Sequence, residues 1–405
     1  MIRLKYVVDI FGRIGFRGYT EQDLVDENEG AITLSPSNIQ NMKMDYSKCS
    51  FLTWQKYYES PEIKIKNGDV LFVKTGSTYG KVGYVENLPM EATINPQLVV
   101  FKNISMNSKL LFYMLQMSFV KDQCELAVVG GTIPTMSQVK IGNIYIPFPS
   151  LAEQQRIAEF LDRECGKIDG LKADIQAQID TLEQYKRSVI TEAVTHGLNP
   201  SAPMKDSGIP WVGKTPEYWK VGRIGGLYEL RNQKVSDKDF MPLSVTMKGI
   251  LPQLETAAKT NDGDNRKLVR MGDFAINSRS DRRGSCGISD YDGSVSLINT
   301  ILKPRNRMNA KYYNWLFHTP MFADEFYKWG HGIVDDLWTT NWSEMKRISI
   351  PLPPLDEQQE IADYLDNKCA EIEQIIADKK SQIETLDGYK KSLIYEYVTG
   401  KKEVV

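Results

Sequence analysis

One pattern of apolar residues occurs twice in this sequence. Residues 144–195 and 348–399 align without a gap at a constant offset of 204 residues, and about half of the aligned positions are identical. In the first copy, apolar residues recur every seven positions, at Leu161, Ile168, Ile175, Leu182 and Val189. A seven-residue period predicts a long helix with one apolar seam, which a second helix must cover. The duplication therefore predicts two long helices packed side by side as a coiled coil.

The second copy repeats this seam at Leu365, Ile372, Leu386 and Leu393. In both copies we assign a further seam row three residues after some of these positions, at Leu171, Tyr185, Ile375 and Tyr389. Lys379 stands where the first copy has Ile175. As a single polar seam residue it either fixes the register of the pair or lays its stem on the seam with its ammonium group in water.

The start of the first helix carries a capping box, because Ser150 precedes Glu153 by three residues. Prolines keep the segments before both helices extended; they are Pro147, Pro149, Pro351, Pro353 and Pro354. An unbroken helix from Leu151 to Thr195 has roughly 45 residues and a length of about 65 Å. This length predicts a spacer rather than a pocket.

A globular segment precedes each long helix, and both segments mix helix with strand. In the first, residues 63–65 and 70–73 are predicted strands around an Asn-Gly-Asp turn, and residues 108–120 are a predicted helix. In the second, residues 310–317 form the corresponding helix. The two segments keep turn residues such as Gly80 and Gly284 at the same offset, while their other residues differ.

The fold class predicted from this order is α+β. Two α/β domains are separated by two long helices in a pseudo-twofold internal repeat. The predicted domains are residues 1–150 for the first globular domain, 151–197 for the first long helix, 198–354 for a linker and the second globular domain, and 355–405 for the second long helix and C-terminal tail.

Composition narrows the class of protein further. The chain has 405 residues, of which 41% are hydrophobic, and a formal net charge of −2, so any signal for nucleic acid must be local. No apolar run approaches the roughly 20 residues of a membrane span and no signal peptide is evident, so we expect a cytoplasmic protein. Five cysteines without a Cys-x-x-Cys motif fit a reducing compartment. We predict that Cys165 and Cys369 are small buried apolar residues.

Several enzyme signatures are nearly present and fail on a physical requirement. Residues 76–82 resemble a P-loop but are one residue short and lack the hydroxyl that binds Mg²⁺. Asn95-Pro96 resembles a methyltransferase loop, but the second proline and the aromatic residue are missing, so a turn is predicted. The three histidines are scattered, which disfavours a zinc site. The sequence therefore predicts no catalytic residues and no metal site.

Basic, hydroxyl and aromatic residues cluster instead in loops of the two globular segments. Arginine can bind guanine through two hydrogen bonds, asparagine and glutamine can bind adenine, and hydroxyl groups can hold phosphate. Each such residue alone is more often a solvated surface residue, but the loops taken whole favour duplex DNA. The candidate DNA-binding residues are Arg13, Arg17, Lys74, Thr75, Ser77, Tyr79 and Lys81 in the first segment, and Arg231, Asn232, Lys234, Arg279, Ser280, Arg282 and Arg283 in the second.

The layout resembles the specificity subunits of type I restriction-modification systems. The resemblance covers nearly the whole chain and rests on three motifs. The first is Ile-Pro-x-Pro-x-Leu-x-Glu-Gln-Gln-x-Ile-Ala at residues 146–158 and 350–362. The second is the pair of helix endings at 185–195 and 389–399, and the third is Asp-Ser-Gly-Ile-Pro-Trp-Val-Gly at 206–213. Many members of the family also carry the third motif before the first globular segment, where this chain begins at Arg3-Leu4-Lys5.

The resemblance implies that each globular domain is a target-recognition domain for one half of a bipartite, asymmetric DNA site. It implies that the long helices are antiparallel, set the gap between the half-sites and dock two methyltransferase subunits, while a separate subunit supplies translocation and cleavage. The chain itself would need no cofactor, because partner subunits would bind S-adenosylmethionine and ATP. Candidate partner contacts are the triplets at the helix starts, Glu153, Gln154, Gln155, Glu357, Gln358 and Gln359.

Two other functions compete with this interpretation. A two-headed adaptor would use the coiled coil to bring two protein ligands together, and it would lack sequence-specific DNA binding that weakens steeply with salt. A nuclease or methyltransferase in its own right would act on DNA when the chain is alone, and the missing cofactor and metal motifs disfavour it.

Overall fold

The chain folds into two compact units that do not follow the linear order of the sequence. The computed structural model describes residues 1–404 except 16–17, 28, 41, 130–132, 254–262, 306–307 and 333–337. Unit 1 comprises Met1–Ile175 and Ser381–Val405, and unit 2 comprises Gln176–Lys380. Each unit therefore holds one globular segment and half of each long helix.

The described helices have the following bounds. They are α1 (Trp54–Tyr58), α2 (Ser108–Met114), α3 (Ser118–Ala127), α4 (Gln138–Gly142), α5 (Leu151–His196), α6 (Ile224–Leu227), α7 (Ala310–Phe317), α8 (Pro320–Lys328), α9 (Trp342–Met345) and α10 (Leu355–Val398).

The described strands of unit 1 are β1 (Ile2–Arg3), β2 (Asp9–Gly12), β3 (Leu24–Val25), β4 (Gly30–Leu34), β5 (Ile39–Gln40), β6 (Lys43–Met44), β7 (Ser50–Thr53), β8 (Val70–Val73), β9 (Val82–Tyr84), β10 (Ala92–Ile94), β11 (Leu98–Lys102) and β12 (Tyr145–Ile146). Those of unit 2 are β13 (Met204–Ile209), β14 (Gly213–Pro216), β15 (Lys220–Arg223), β16 (Tyr228–Leu230), β17 (Lys234–Val235), β18 (Leu243–Thr246), β19 (Gly249–Pro252), β20 (Arg266–Val269), β21 (Phe274–Asn277), β22 (Cys286–Ile288), β23 (Gly293–Val295), β24 (Asn299–Pro304) and β25 (Ser349–Leu352).

A central antiparallel sheet organises unit 1, with the strand order β2-β11-β8-β9. Strand β8 is buried on both faces, because successive side chains of a strand point to opposite sides. Val70 and Phe72 belong to the core shared with α2 and the long helices, while Leu71 and Val73 belong to a second core. That second core also includes residues of the sheet with the order β10-β4-β7-β3. Because both faces of β8 are buried, residues 70–73 are all apolar and do not alternate with polar residues.

Unit 2 repeats the central sheet with the order β16-β24-β21-β22. The strand registers match at the 204-residue offset, since Val70 pairs with Tyr84 in unit 1 and Phe274 pairs with Ile288 in unit 2. The predicted α+β class and internal repeat are confirmed. The predicted helix at 310–317 coincides with α7.

Two local predictions are wrong. Ile63 lies in a short 3-10 helix rather than a strand, and Ile65 makes only an isolated bridge with Ala92. The helix predicted at 108–120 is broken, because α2 ends at Met114 and α3 begins at Ser118. No glycine or proline marks this break in the sequence. The turn instead buries Leu115 and other side chains in the core, a tertiary effect that local composition does not reveal.

The long helices α5 and α10 pack on each other in both units. In unit 1 the shared core includes Leu161, Cys165 and Ile168 of α5 with Leu393 of α10. In unit 2 it includes residues of both helices, Val189, Ala193, Val194, Ile361, Ala362 and Leu365. The predicted coiled coil is confirmed, and so is the burial of both cysteines, each 2% exposed. All five cysteines are free thiols.

The second seam row was assigned to the wrong residues. Leu171, Tyr185, Ile375 and Tyr389 are 53%, 49%, 44% and 57% exposed. The buried row lies four residues after the first, for example at Cys165 and Ile179. In α5 this row also contains Lys172 and Lys186, which hid its period from a search for apolar residues.

These polar seam positions pair across the two helices in antiparallel order. In unit 1 the Lys390 ammonium group donates to Asp169 Oδ1 at 2.7 Å, and Lys172 pairs with Asp387. In unit 2 the equivalent of the first pair is Lys186 with Glu373. A further bond runs from Lys379 Nζ to Gln178 Oε1 at 2.5 Å. Lys379 thus binds the opposite helix through an exposed amide, and its role in fixing the register stays a prediction.

Each globular segment is attached to its long helix by the same amide network. Gln154 Oε1 accepts from the Asn107 backbone N–H at 2.9 Å, and Gln154 Nε2 donates to the Pro149 carbonyl at 2.9 Å. Asn107 Nδ2 donates to Gln155 Oε1 at 2.7 Å. Unit 2 repeats these bonds with Asn309, Pro353, Gln358 and Gln359. Asn107 and Asn309 also cap α2 and α7, so each network joins two helices.

Candidate DNA interface

In unit 1, the loop at residues 74–81 joins β8 to β9 and is held by a second loop. Thr75 forms an antiparallel bridge with Thr135, and the Gly76 N–H donates to the Pro134 carbonyl at 3.0 Å. The Met136 N–H donates to the Lys74 carbonyl at 2.8 Å. Gly76 and Gly80 have φ values of +104° and +80°, which favour glycine. Residues 74–81 and 133–136 therefore form one surface, which we call loop pair 1.

In unit 2, residues 278–285 join β21 to β22 in the same way. Arg279 bridges Thr339, and the Ser280 N–H donates to the Trp338 carbonyl at 2.9 Å. The Thr340 N–H donates to the Ser278 carbonyl at 3.0 Å. Residues 278–285 and 338–340 are called loop pair 2. Both loop pairs have the same backbone connections at the 204-residue offset, while their side chains differ.

The candidate residues of loop pair 1 differ in exposure. Ser77 is exposed, whereas Thr75, Tyr79, Lys74 and Lys81 are half-buried. Burial lowers the pKa of the Lys74 ammonium group. Lys81 Nζ donates to the Pro36 carbonyl at 3.4 Å. The structure therefore brings five candidate residues together in one loop, in which Tyr79 packs against the apolar core of unit 1.

Arginines dominate loop pair 2, and acidic groups hold them. Arg279 Nε lies 3.0 Å from Asp281 Oδ1, and Arg282 Nε lies 3.8 Å from Asp281 Oδ2. Arg283 pairs with Asp324, and its guanidinium carbon lies 5.5 Å from the centre of the Tyr327 ring. The Arg282 side chain is 68% exposed. These exposed ion pairs place the guanidinium groups at the surface of loop pair 2.

A surface cavity of about 570 Å³ adjoins loop pair 2. Its lining residues are Ser280, Asp281, Arg283, Asp324, Tyr327, Lys328 and Trp338. The Trp338 N–H donates to Ser280 Oγ at 3.2 Å, and the side chain is 37% exposed. Trp338 lies in the Trp-Thr-Thr-Asn-Trp cluster of the sequence. Asp324, in contrast, lies 41 residues from Arg283, and no sequence signal joined them.

Other candidates lie outside the residue ranges of the two loop pairs. Arg13 is buried, with bonds from Nε to the Ile94 carbonyl (3.1 Å) and from a terminal nitrogen to Thr93 Oγ1 (3.0 Å). Burial lowers the pKa of its guanidinium group. Arg231 binds the buried Asp273 with two nitrogens, and this hydrogen bonding raises its pKa. For these internally bonded arginines, DNA contact stays a prediction. Asn232 and Lys234 are exposed, and Arg17 lies outside the described residues.

The Glu-Gln-Gln triplets have internal roles. Gln154 and Gln358 are 1% and 4% exposed and form the amide networks described above. Glu153 accepts from the Ser150 N–H and hydroxyl groups, and these bonds lower its pKa. Glu357 instead accepts from Trp219 Nε1 at 2.8 Å. The structure shows that these triplets form hydrogen bonds within the chain. Their contact with a partner subunit stays a prediction.

Metal and membrane chemistry find no support in the part of the chain that the structure describes. No group of three or more His, Cys, Asp or Glu side chains there could hold a metal ion. Among the same residues, no helix is both long enough and apolar enough to cross a membrane.

Comparison with known proteins identifies the repeat. Residues 19–181 and 216–385 each match the family described as type I restriction modification DNA specificity domain. The chain belongs to this specificity family. It is 25% identical over 365 residues to the MjaVIII specificity subunit of Methanocaldococcus jannaschii, a match covering 85% of this chain and 81% of that subunit. It is 28% identical over 387 residues to the StySPI specificity subunit of Salmonella potsdam, covering 90% and 81%.

A solved structure shares the fold of this specificity chain. The structure, described as concerning complex assembly and conformational transition of the type I R-M system, has a TM-score of 0.70 and covers 99% of this chain and 97% of its own. The sequence identity is 16%, so the likeness concerns the fold alone.

Proposed function

We propose that this specificity chain reads a bipartite DNA site, one half with each loop pair, and docks two methyltransferase subunits. The observation that carries the proposal is the pair of loops with equal backbone connections and unequal side chains. A duplicated scaffold with different surface residues suits the recognition of two different sequences. One half-site would meet Lys74, Ser77 and Lys81, and the other would meet Arg279 and Arg282.

The side chains of loop pair 2 suit duplex DNA in particular. A guanidinium group can donate two hydrogen bonds to the major-groove edge of guanine, and it can also bind phosphate. Asp281 and Asp324 hold these groups before DNA arrives. DNA phosphates and base acceptors would then replace or join the carboxylates as hydrogen-bond acceptors.

The docking of two equal partners is supported by apolar residues on the outer surface of the long helices. Leu171 and Ile375 are equivalent at the 204-residue offset, as are Tyr185 and Tyr389, and all four are exposed. Unit 1 carries Leu171 and Tyr389, while unit 2 carries Ile375 and Tyr185. Isolated surface apolar residues need no explanation. Duplication of the same pair in both units favours two copies of one partner.

Methyl transfer would take place in the partner subunits, which would bind S-adenosylmethionine, and ATP would be bound by the restriction subunits. The methyltransferase would flip an adenine out of the duplex for methylation at N6. This chain would position that subunit on its site and would have no catalytic residues of its own.

The test is methylation mapping of DNA by the reconstituted complex. The chain with its methyltransferase subunits should methylate sites with two defined half-sites and a fixed gap. Arg279→Ala should change the preference at one half-site, and Ser77→Ala should change the other. Methylation of DNA by the purified chain alone, or equal effects of both variants at both half-sites, would contradict the proposal.

Docking is tested separately by stoichiometry. Leu171→Glu with Tyr389→Glu should remove one methyltransferase subunit, and Ile375→Glu with Tyr185→Glu should remove the other. Analytical ultracentrifugation should show one bound subunit for each double variant and none for the quadruple variant. An unchanged stoichiometry of two would exclude this surface as the docking site.

A further inference from the structure

A short turn beside loop pair 1 carries two amide side chains. Residues 95–97 join β10 to β11. The Leu98 N–H donates to the Asn95 carbonyl at 3.2 Å, so the turn predicted from the sequence is confirmed. The Gln97 side chain is exposed, and Asn95 is half-buried. The turn adjoins loop pair 1, because the Lys74 N–H donates to the Gln97 carbonyl at 2.8 Å.

The backbone of this turn is bonded to the core of unit 1. The Asn95 N–H donates to the Leu34 carbonyl of β4 at 2.8 Å, and Arg13 Nε donates to the Ile94 carbonyl at 3.1 Å. Leu34 and Ile94 are fully buried, and Arg13 is 5% exposed. The two amide side chains therefore extend from a backbone that the core supports, as precise recognition of a ligand requires.

Asn95 determines the orientation of the Gln97 amide group. Asn95 Oδ1 accepts the Gln97 backbone N–H at 3.0 Å, and Asn95 Nδ2 donates to Gln97 Oε1 at 3.1 Å. Because a backbone N–H can only donate, Asn95 must turn its oxygen to the backbone and its amino group to the Gln97 oxygen. Within the part of the chain that the structure describes, Gln97 Nε2 forms no hydrogen bond with the protein. A ligand can therefore bind the second lone pair of the Gln97 oxygen together with Nε2.

An amide in this orientation matches the major-groove edge of adenine. Adenine presents the N6 amino group as a donor beside N7 as an acceptor, and a glutamine can bind both at once. Guanine presents two acceptors there, so one of them would face the Gln97 oxygen. Gln97 Nε2 lies 3.6 Å from the position that a Cβ would take at Gly76, next to the exposed Ser77. The amide thus lies beside the candidate DNA-binding residues of loop pair 1.

The corresponding turn of unit 2 carries different side chains. There the Asn299 N–H donates to the Ser296 carbonyl at 3.1 Å, the same bond that closes the turn of unit 1. Aligned on this bond, Ser296 corresponds to Asn95 and Ile298 to Gln97. The isoleucine side chain has no hydrogen-bonding group. The amide pair therefore distinguishes the surface beside loop pair 1 from the surface beside loop pair 2.

We propose that Gln97 recognises an adenine in the half-site of loop pair 1 through the major groove, with Asn95 as a positioning residue. The inference rests on the proposed function, since it requires that loop pair 1 contacts DNA. Gln97 Oε1 would accept an N–H of the adenine N6 amino group, and Gln97 Nε2 would donate to N7. Asn95 would contact no base and would hold the glutamine amide in the orientation that adenine requires.

The first test changes the Gln97 amide to a carboxylate. A duplex DNA library with randomised positions is selected by binding to the complex of the full chain with its methyltransferase subunits, and the bound DNA is sequenced. Gln97→Glu removes both N–H donors, so the preference for adenine at one position of one half-site should fall about tenfold. Cytosine should then be accepted there, because its N4 amino group can donate to a carboxylate. Gln176→Glu, the same change at an exposed glutamine of α5, is the matched control and should alter no position.

The second test concerns the positioning residue. Asn95→Asp keeps an acceptor for the Gln97 N–H but offers the Gln97 side chain an acceptor instead of a donor. The Gln97 amide should then turn its amino group towards residue 95. The preference for adenine at the same position should fall several-fold, and the other positions should keep their preferences. A purely structural role of Asn95 would change the overall affinity without changing the preferred base.

Two results would overturn the proposal. One is an unchanged base preference for Gln97→Glu. The other is an equal loss of affinity for all sequences, which would indicate a contact with phosphate. The proposed function would stand after either result, because the complex would still select two half-sites with a fixed gap. It would fail if the complex with the unchanged chain selected no bipartite site.

Discussion

Individual buried amides explain why the Glu-Gln-Gln triplets occur in both copies. A glutamine that is 1% or 4% exposed must satisfy both its donor and its acceptor within the protein, and Gln154 and Gln358 do so against backbone groups. The sequence showed the triplets but not their partners. Asn107 is 47 residues away from Gln154, and only the folded chain brings the two together.

Gln154→Ala should destabilise unit 1 by about 1–3 kcal/mol, since it leaves a buried backbone N–H and a carbonyl without partners. Gln155→Ala is the matched control, because that side chain is exposed, and it should cost clearly less. Thermal unfolding followed by circular dichroism would measure both. A melting temperature of Gln154→Ala equal to that of the unchanged protein would show that the buried network contributes little.

Arg282 offers the clearest test of DNA contact at a single residue. Its exposed side chain can reach a phosphate or a base edge without displacing a core contact. If the contact is with phosphate, Arg282→Ala should reduce the slope of log affinity against log salt by about one. Lys214→Ala, an exposed site on β14 outside loop pair 2, should leave the slope unchanged. Equal slopes for both variants would remove Arg282 from the interface.

At the level of elements, the seven-residue period predicted the long helices and their pairing but not the full seam. The second row of the seam, which was not predicted, contains lysines, and a search for apolar residues does not detect them. Lys390 is only 7% exposed although it is charged. It can occupy a buried seam position because Asp169 of the opposite helix binds its ammonium group. The break between α2 and α3 escaped prediction for a related reason, since burial by the rest of the unit decided it.

Asp169→Ala should destabilise the helix pair in unit 1 by about 1–3 kcal/mol, because the buried Lys390 ammonium group would lose its hydrogen-bond acceptor. Glu373→Ala removes the equivalent carboxylate of unit 2, whose side chain is 64% exposed, and should cost less than about 1 kcal/mol. Chemical denaturation would compare the two.

The double variant Asp169→Leu with Lys390→Met should recover most of the stability, since apolar residues can replace a buried ion pair. A double variant as unstable as Asp169→Ala would instead show that the ion pair itself supports the packing of the helices.

For the whole molecule, the repeat predicted two similar halves, whereas the sequence-based domains followed the linear order of the chain. The boundary between the two compact units instead divides each long helix near its middle, between Ile175 and Gln176 in α5 and between Lys380 and Ser381 in α10. The antiparallel pairing, visible in bonds such as Lys390 with Asp169, brings residues 381–398 into the same unit as the first globular segment. The sequence did not predict which bases each loop pair would contact, because base recognition depends on the conformation of the loops.

Removing one heptad from each long helix, residues 172–178 and 376–382, should shorten the gap between half-sites under the proposed function. Seven residues preserve the seam, and the pairs of Lys390 with Asp169 and Lys186 with Glu373 are retained. The change of about 10 Å in each helix corresponds to roughly 3 base pairs. Methylation mapping should find both half-sites unchanged and the gap reduced. New half-site sequences would contradict a spacer role.

The division of each long helix between the units has a consequence for biosynthesis. The ribosome completes the first globular segment early, but residues 381–398, which close its core with Leu393 and Ile394, are translated only after residues 176–380 of unit 2. A nonsense codon near position 380 would therefore damage the half of the protein that was translated first. Premature termination would expose apolar side chains at Leu161 and Cys165, and cellular proteases could remove such truncated chains before they compete for partners.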